Sequence, residues 1–241
     1  MSGFAGGSAQ PTAVFHAHAD VEAWTAAAVA DVAAGLQAGL RASGIAHFLV
    51  SGGSTPAPVY RALARQALDW ARISIALVDE RWLPPGDGDS NAVLIEQTLL
   101  IEYAAGARFE PMLLPGRNLA DSVGAANRSF VPATVTVLGM GPDGHTASLF
   151  PHMHGLDAAL ASPLPYIAVA ADDCAGAGSW RQRISLTPSG LARSARRILL
   201  IRGEHKRTVL RRALDGAGAD ELPIAAVLTL AGSPLHVHWC P

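Results

Sequence analysis

Along the chain, short runs of consecutive apolar residues alternate with longer stretches in which apolar side chains recur every three or four positions. Val21, Trp24, Ala28, Val32 and Leu36 share one side of a helix, and Asp20 just ahead offers an oxygen to its first free amides. The runs 47–50, 73–78 and 133–138 lack that period and predict short buried strands ending at Ser51, Asp79 and Gly139. Thr55 followed by Pro56 predicts a helix start, with the hydroxyl as cap and the proline in the first turn. A further helix is expected from Ser90 or Asn91 to Leu100. Beyond residue 180 the pattern predicts strands at 183–186, 197–201 and 235–239, with helices at about 187–193 and 204–214.

Strands alternating with helices predict an α/β fold, an open and mostly parallel sheet flanked by helices in the Rossmann-like manner. No repeat, linker or low-complexity segment divides the chain, so one domain over residues 1–241 is expected. Half of the 241 residues are apolar and 16% are charged, enough for a substantial core. The formal charge of −2, with no basic block, argues against nucleic acid as a partner. Two cysteines, Cys174 and Cys240, make no disulfide framework, which suits a reducing cytoplasm. The first twenty residues lack the basic start and apolar core of a signal peptide. The alanine-rich segment 21–40 is interrupted by Glu22, Asp31 and Gln37, so it reads as an amphipathic helix and not a membrane span.

Three motifs follow the carboxyl ends of expected strands, where open α/β sheets gather their ligands. In Ser51-Gly52-Gly53-Ser54-Thr55-Pro56 the glycines admit a close ligand, the hydroxyls donate, and the next helix start favours an anion such as phosphate. The loop is neither a Walker loop nor a GxGxxG fingerprint, and an ordinary glycine turn is the alternative. In Asp79-Glu80-Arg81-Trp82 the guanidinium of Arg81 suits a phosphate, a carboxylate or a developing oxyanion, against a plain charged strand end. Residues 138–151, LGMGPDGHTASLFP, place Asp143 two positions before His145, a residue that exchanges protons near neutral pH. A helix is expected to begin there at about 145–147. Lys206 and Arg183 are candidate phosphate cations, each with a solvated or structural alternative.

The pairs His16/His18, His152/His154 and His236/His238 each share a strand face if extended, but no cysteine or carboxylate cluster accompanies them in the sequence. No metal and no other cofactor is therefore expected. Ser148 lies outside any Gly-x-Ser-x-Gly elbow, which excludes a serine hydrolase. Residues 172–183, DDCAGAGSWRQR, read as a loop crossing the surface.

Taken together, SGGSTP, DERWLPPGDGDSN, LGMGPDGHTASLFP, RISLT and RGEHK resemble the 6-phosphogluconolactonase family in order and approximate spacing. The resemblance implies the fold shared with glucosamine-6-phosphate deaminases and ribose-5-phosphate isomerases. It also implies hydrolysis of 6-phospho-D-glucono-1,5-lactone in the oxidative pentose phosphate pathway. The catalytic group would be His145, oriented by Asp143 and helped by Arg81. The phosphate would rest on Ser51, Gly52, Gly53, Ser54 and Thr55 with Arg183 and Lys206. The partner is a small sugar-phosphate lactone bound by a monomer or small homo-oligomer, with no membrane. Two other readings are a deaminase or isomerase, and a non-catalytic sugar-phosphate sensor. The deaminases carry Asp-Glu-Tyr and a glutamate before the motif's final proline, where this chain has Arg81 and Phe150. Residues 116–132 look short for the family, with a weak helix, and the chain ends before the family's customary terminal helix.

Overall fold

A computed structural model describes residues 12–241; the N-terminal stretch read above for a signal peptide lies outside these residues through Pro11. Its main sheet joins seven parallel strands: β1 (Ala13–Ala17), β2 (Ala46–Val50), β3 (Ile73–Leu77), β5 (Arg108–Glu110), β6 (Val135–Leu138), β9 (Arg196–Arg202) and β10 (Leu235–Cys240). Their spatial order is β1-β10-β9-β6-β2-β3-β5. Phe48, Val50, Ile75, Leu77, Val135, Val137 and the run Ile198 to Ile201 are buried. Strands covered on both faces need no polar alternation, which is why they read as continuous apolar runs.

Helix α1 (Val21–Ser43) packs the expected stripe of Trp24, Ala28, Val32 and Leu36 into this core. Asp20 caps it through the amide of Ala23 at 2.8 Å, and Gly44 ends it in the left-handed region. The other helices are α2 (Ala57–Leu63), α3 (Asn91–Thr98), α4 (Leu119–Ser129), α5 (Leu156–Leu160), α6 (Pro188–Leu191), α7 (Glu204–Leu214) and α8 (Ile224–Leu228). Ser90 caps α3, and Asn118 caps α4, which forms three full turns where the sequence suggests a weak helix. Among the described residues no helix is long and apolar enough to cross a membrane.

A second sheet, absent from the sequence reading, is antiparallel: β4 (Asp79–Arg81), β8 (Gln182–Leu186) and β7 (Tyr166–Ala170), in the order β4-β8-β7. Val78 is the switch between the sheets. Its amide donates to Val50 in the first sheet, and its carbonyl accepts from Leu186 in the second. This carries Asp79 and Arg81 from the tip of β3 onto β4, where Arg81 stands opposite Arg183.

Three expectations are corrected. No helix starts at 145–147: Ala147 has φ 51°, Thr146 and Leu149 form a bridged turn, and the next helix is α5. Side-chain bonds from Thr146 to Gly139 O and from Ser148 to Asp79 hold this backbone off the helical path. Thr55 does not cap α2; Pro56 takes that place without a side-chain cap. Residues 172–181 do not merely cross the surface, because Ala177 is buried and Gly176 to Gly178 line the central cavity.

The cavity lies where β2 and β6 are neighbours. From β2 the chain moves outward to β3 and β5, whereas β6 is followed on its other side by β9 and β10. Connections that diverge from adjacent parallel strands leave a crevice at their carboxyl ends.

Candidate active site

That crevice is a cavity of about 340 Å³ lined by Ser51 to Pro56, Asp79, Arg81, Asn91, Gly139 to Gly141, His145, Ala147, Gly176 to Gly178, Arg183 and Lys206. All of the site residues expected from the sequence line it except Asp143, which sits directly behind His145. A second cavity of about 360 Å³, bordered by β2, β3, β5 and α4, contains none of the three motifs.

The loop after β6 is held from within. Gly141 N donates to His145 O at 2.9 Å, Gly144 N to Gly141 O at 3.1 Å, and Thr146 Oγ1 to Gly139 O at 2.9 Å. From outside, Ile224 N donates to Gly144 O, and the His205 imidazole meets Pro142 O at 3.0 Å. These bonds fix where His145 points. They also occupy the amides of Gly141 and Gly144, which are therefore not free to meet a developing oxyanion.

Asp143 Oδ1 lies 2.6 Å from Nδ1 of His145 and also accepts the backbone N–H of His145 at 3.2 Å. Burial works against ionising this carboxyl, but the hydrogen bonds and charge of His145 outweigh it and hold Asp143 below the usual range. The contact assigns the Nδ1 proton to the Asp143 side and leaves Nε2 as the basic nitrogen. Phe150 packs against the imidazole with ring centroids 4.6 Å apart. At the position before Pro151 the ring therefore meets an apolar wall and not a carboxylate.

At the turn after β2, the Ser51 carbonyl accepts from buried Tyr60 at 2.9 Å, and Ser51 Oγ is buried without a hydrogen-bond partner among the described residues. A methyl on Gly52 would overlap the Asn91 amide, so only glycine lets α3 approach this loop. Asn91 is tied down in turn by Nδ2 donating to Asp79 O at 2.8 Å.

Arg81 lies at the cavity edge with Nη1 donating to Asp89 O, while its buried Nε has no partner among the described residues. An unpaired buried donor is costly unless something accepts from it. Arg81 Nε and Ser51 Oγ thus mark two polar positions for a ligand. Next to Arg81, fully buried Glu80 accepts from Arg81 N, Ser90 Oγ, Asn91 N and Ala92 N, fastening β4 to the start of α3.

Arg183 lines the cavity but is 6% exposed. Its Nε donates to Trp180 O and its Nη2 to Ala177 O, and its guanidinium covers the Phe150 ring at 5.3 Å. It anchors the 172–181 loop more than it presents free donors. Lys206, on the first turn of α7, is half-buried; burial lowers its ammonium pKa, with Asp143 partly offsetting the effect. Sequence reasoning missed Asn91 and Gly176 to Gly178 as lining residues. The only signal for the latter was the glycine content of a segment that otherwise reads as a plain loop.

The family model described as "Glucosamine-6-phosphate isomerases/6-phosphogluconolactonase" matches residues 19–239. A 6-phosphogluconolactonase of Xylella fastidiosa is 50% identical over 200 residues, covering 82% of this chain and 83% of that one. One of Pseudomonas putida is 40% identical over 240 residues, covering 96% and 95% of the two chains. A solved 6-phosphogluconolactonase from Shewanella baltica superposes with a TM-score of 0.87 at 32% identity, covering 98% of this chain and 100% of that one.

Proposed function

The chain belongs to the glucosamine-6-phosphate isomerase/6-phosphogluconolactonase family, within it as a lactone hydrolase of the 6-phosphogluconolactonase kind, and from that premise we propose how its residues divide the work. The substrate is 6-phospho-D-glucono-1,5-lactone, and the product is 6-phosphogluconate of the pentose phosphate pathway. Nε2 of His145 takes a proton from water as its oxygen attacks C1. The carbonyl electrons move onto oxygen, where Arg81 Nε offers a donor. When the C1–ring oxygen bond breaks, the imidazolium returns its proton to the ring oxygen. Asp143 holds the tautomer and stabilises the charged ring.

The 6-phosphate rests on the Ser51 to Thr55 turn, with Ser51 Oγ donating and Lys206 opposing its charge. Binding energy from that remote dianion aligns C1 with the water. Arg183 acts on the loop that closes this arrangement. The protein works in the cytoplasm as a monomer or small homo-oligomer.

The observation that carries this reading is the Phe150 ring packed, tilted by 45°, against His145 with centroids 4.6 Å apart. A deaminating relative carries a carboxylate at that position to support the imidazole in ring opening, and an apolar wall offers no such help. The lactone needs no ring opening by isomerisation, since its carbonyl is already electrophilic.

The test compares wild type with His145→Ala on freshly made lactone, subtracting spontaneous hydrolysis. Turnover should fall about 10²–10⁴-fold, the usual contribution of a positioned acid–base group, with phosphogluconate binding kept. Lys206→Ala should raise KM with a smaller effect on kcat. Undiminished turnover in His145→Ala removes the histidine from the mechanism, and ammonia release from glucosamine 6-phosphate favours the deaminase reading.

A further inference from the structure

His16 on β1, His18 just beyond it, and His236 and His238 on β10 lie outside the lining of the candidate active site, yet the fold brings them together. In the parallel register of these strands, His16 stands opposite His238 and Val14 opposite His236. His16, His18, His236 and His238 form a continuous stack: ring centroids are 5.6 Å apart for His16 and His236, 4.7 Å for His16 and His238, and 5.3 Å for His18 and His238. The carboxylate missing from the local sequence is supplied by α1. Asp31 reaches down onto this seam, accepting from Arg196 and meeting Nε2 of His238 at 3.0 Å.

We infer that His16, His236 and Asp31 form a divalent-cation site that ties the N-terminal edge strand to β10 and α1, outside the lactonase cavity. Each of the three offers one ligand atom, and all of these atoms lie within 4.8 Å of one another. His16 Nε2 and His236 Nδ1 are 3.3 Å apart. That separation is about the edge of a tetrahedron whose metal–nitrogen bonds are ~2.0–2.1 Å. Two imidazoles and one carboxylate, with water in the remaining position, suit zinc and the neighbouring late first-row ions better than magnesium or calcium. All three residues are only partly buried, so an ion has a path from solvent.

The seam already holds a cation. The Arg196 guanidinium bonds Asp31 through Nε and places Nη2 3.4 Å from His236 Nδ1. It competes with a metal for the same two lone pairs, and its side chain is one-third exposed, so it has room to swing out. His238 would remain hydrogen-bonded to Asp31 from behind, the usual way a ligating carboxylate is oriented.

The experiment uses the full chain without a polyhistidine tag, titrated with Zn²⁺ against a chelating dye and with Co²⁺ read by its visible absorption. One equivalent of Zn²⁺ should bind, Co²⁺ should give the intense bands of a tetrahedral site, and the thermal midpoint should rise with metal. His16→Ala and His236→Ala should each weaken binding by at least about tenfold, since each removes a direct ligand. Metal-free turnover should not change in either variant. Because His16 lies on an edge strand, that variant stands as the test even if His236→Ala fails to fold. Arg196→Gln should tighten binding by removing the competitor. No binding at about 100-fold excess Zn²⁺ overturns the proposal, the midpoint rise expected from native-state binding being absent as well. Binding that survives His16→Ala but disappears in His145→Ala overturns it too, placing the ion at the catalytic pair.

Discussion

Gly176 sits against the carboxylate of Asp143 so closely that a methyl on its Cα would overlap Asp143 Oδ2 and come within 3.1 Å of His145 Nδ1. The residue belongs to an exposed loop, yet it forms the outer wall of the Asp143–His145 pair. Gly176→Ala should therefore push Asp143 or the loop aside and misalign the imidazole. Turnover should fall by about 10–10²-fold, part of what a positioned acid–base group contributes. Overpacking of this kind costs about 1–3 kcal/mol, so the unfolding midpoint should fall as well while the protein stays folded. Steady-state kinetics beside thermal unfolding checks this; normal turnover shows that the loop does not press on Asp143.

Arg183 holds that loop from below. Its fork reaches Trp180 O and Ala177 O while its face covers Phe150, and Trp180 Nε1 continues the chain of contacts to Asp89 at 2.7 Å. A lysine keeps the charge but cannot make the two-point contact or the flat stacking. Arg183→Lys should loosen residues 172–181, seen as faster limited proteolysis there, and should lower kcat more than it raises KM. The reverse pattern, a raised KM with an intact loop, would mean that Arg183 meets the phosphate directly.

Glu80 links the sheets to the site through four donors while fully buried. In Glu80→Gln an NH₂ group replaces one acceptor and faces N–H groups that also need one. Hydrogen bonds to a charged group are worth about 1.5–3 kcal/mol each, so a loss of roughly that size is expected in denaturant unfolding. KM should rise as well, because Arg81 and Asn91 both depend on this junction. Unchanged unfolding would mean that the junction is held by its backbone pairing alone.

Five strands of the main sheet could be read from the sequence because they are buried apolar runs, and α1 because it repeats with helical period. β1, β4, β5 and β7 could not, and all four are sheet edges. β1 and β5 are short and have no fully buried residue, and β4 is three charged residues whose partner lies far away in the chain, Arg81 against Arg183. The segment Thr146 to Phe150 misled in the opposite sense. Its alanine, serine and leucine suit a helix, but hydrogen bonds to Gly139 and Asp79 hold Ala147 in the left-handed region. Asp143 and His145 were recognisable because they meet within one loop. Asn91, Gly176 and the seam at Asp31 arise only once separate elements pack.

The same Asp143–His145 contact sets a pH dependence of stability. Asp143 has a folded-state pKa below its usual 3.8, burial opposing the shift and His145 driving it. A depressed carboxyl binds fewer protons in the folded state than in the unfolded one, so it stabilises the fold above the unfolded value. That contribution shrinks as pH falls below 3.8 and disappears once the folded-state carboxyl is itself protonated. Asp143→Asn lacks it at every pH. The stability gap between wild type and Asp143→Asn should thus be level from pH 7 down to about pH 5 and narrow on further acidification. Denaturant unfolding of both proteins across that range measures the gap. His145→Ala supplies the internal control, since without the imidazole the carboxyl loses the partner that lowers it and the narrowing should shrink or vanish. A gap that stays constant down to pH 2 would show that the pair contributes no charge-dependent stability to the fold.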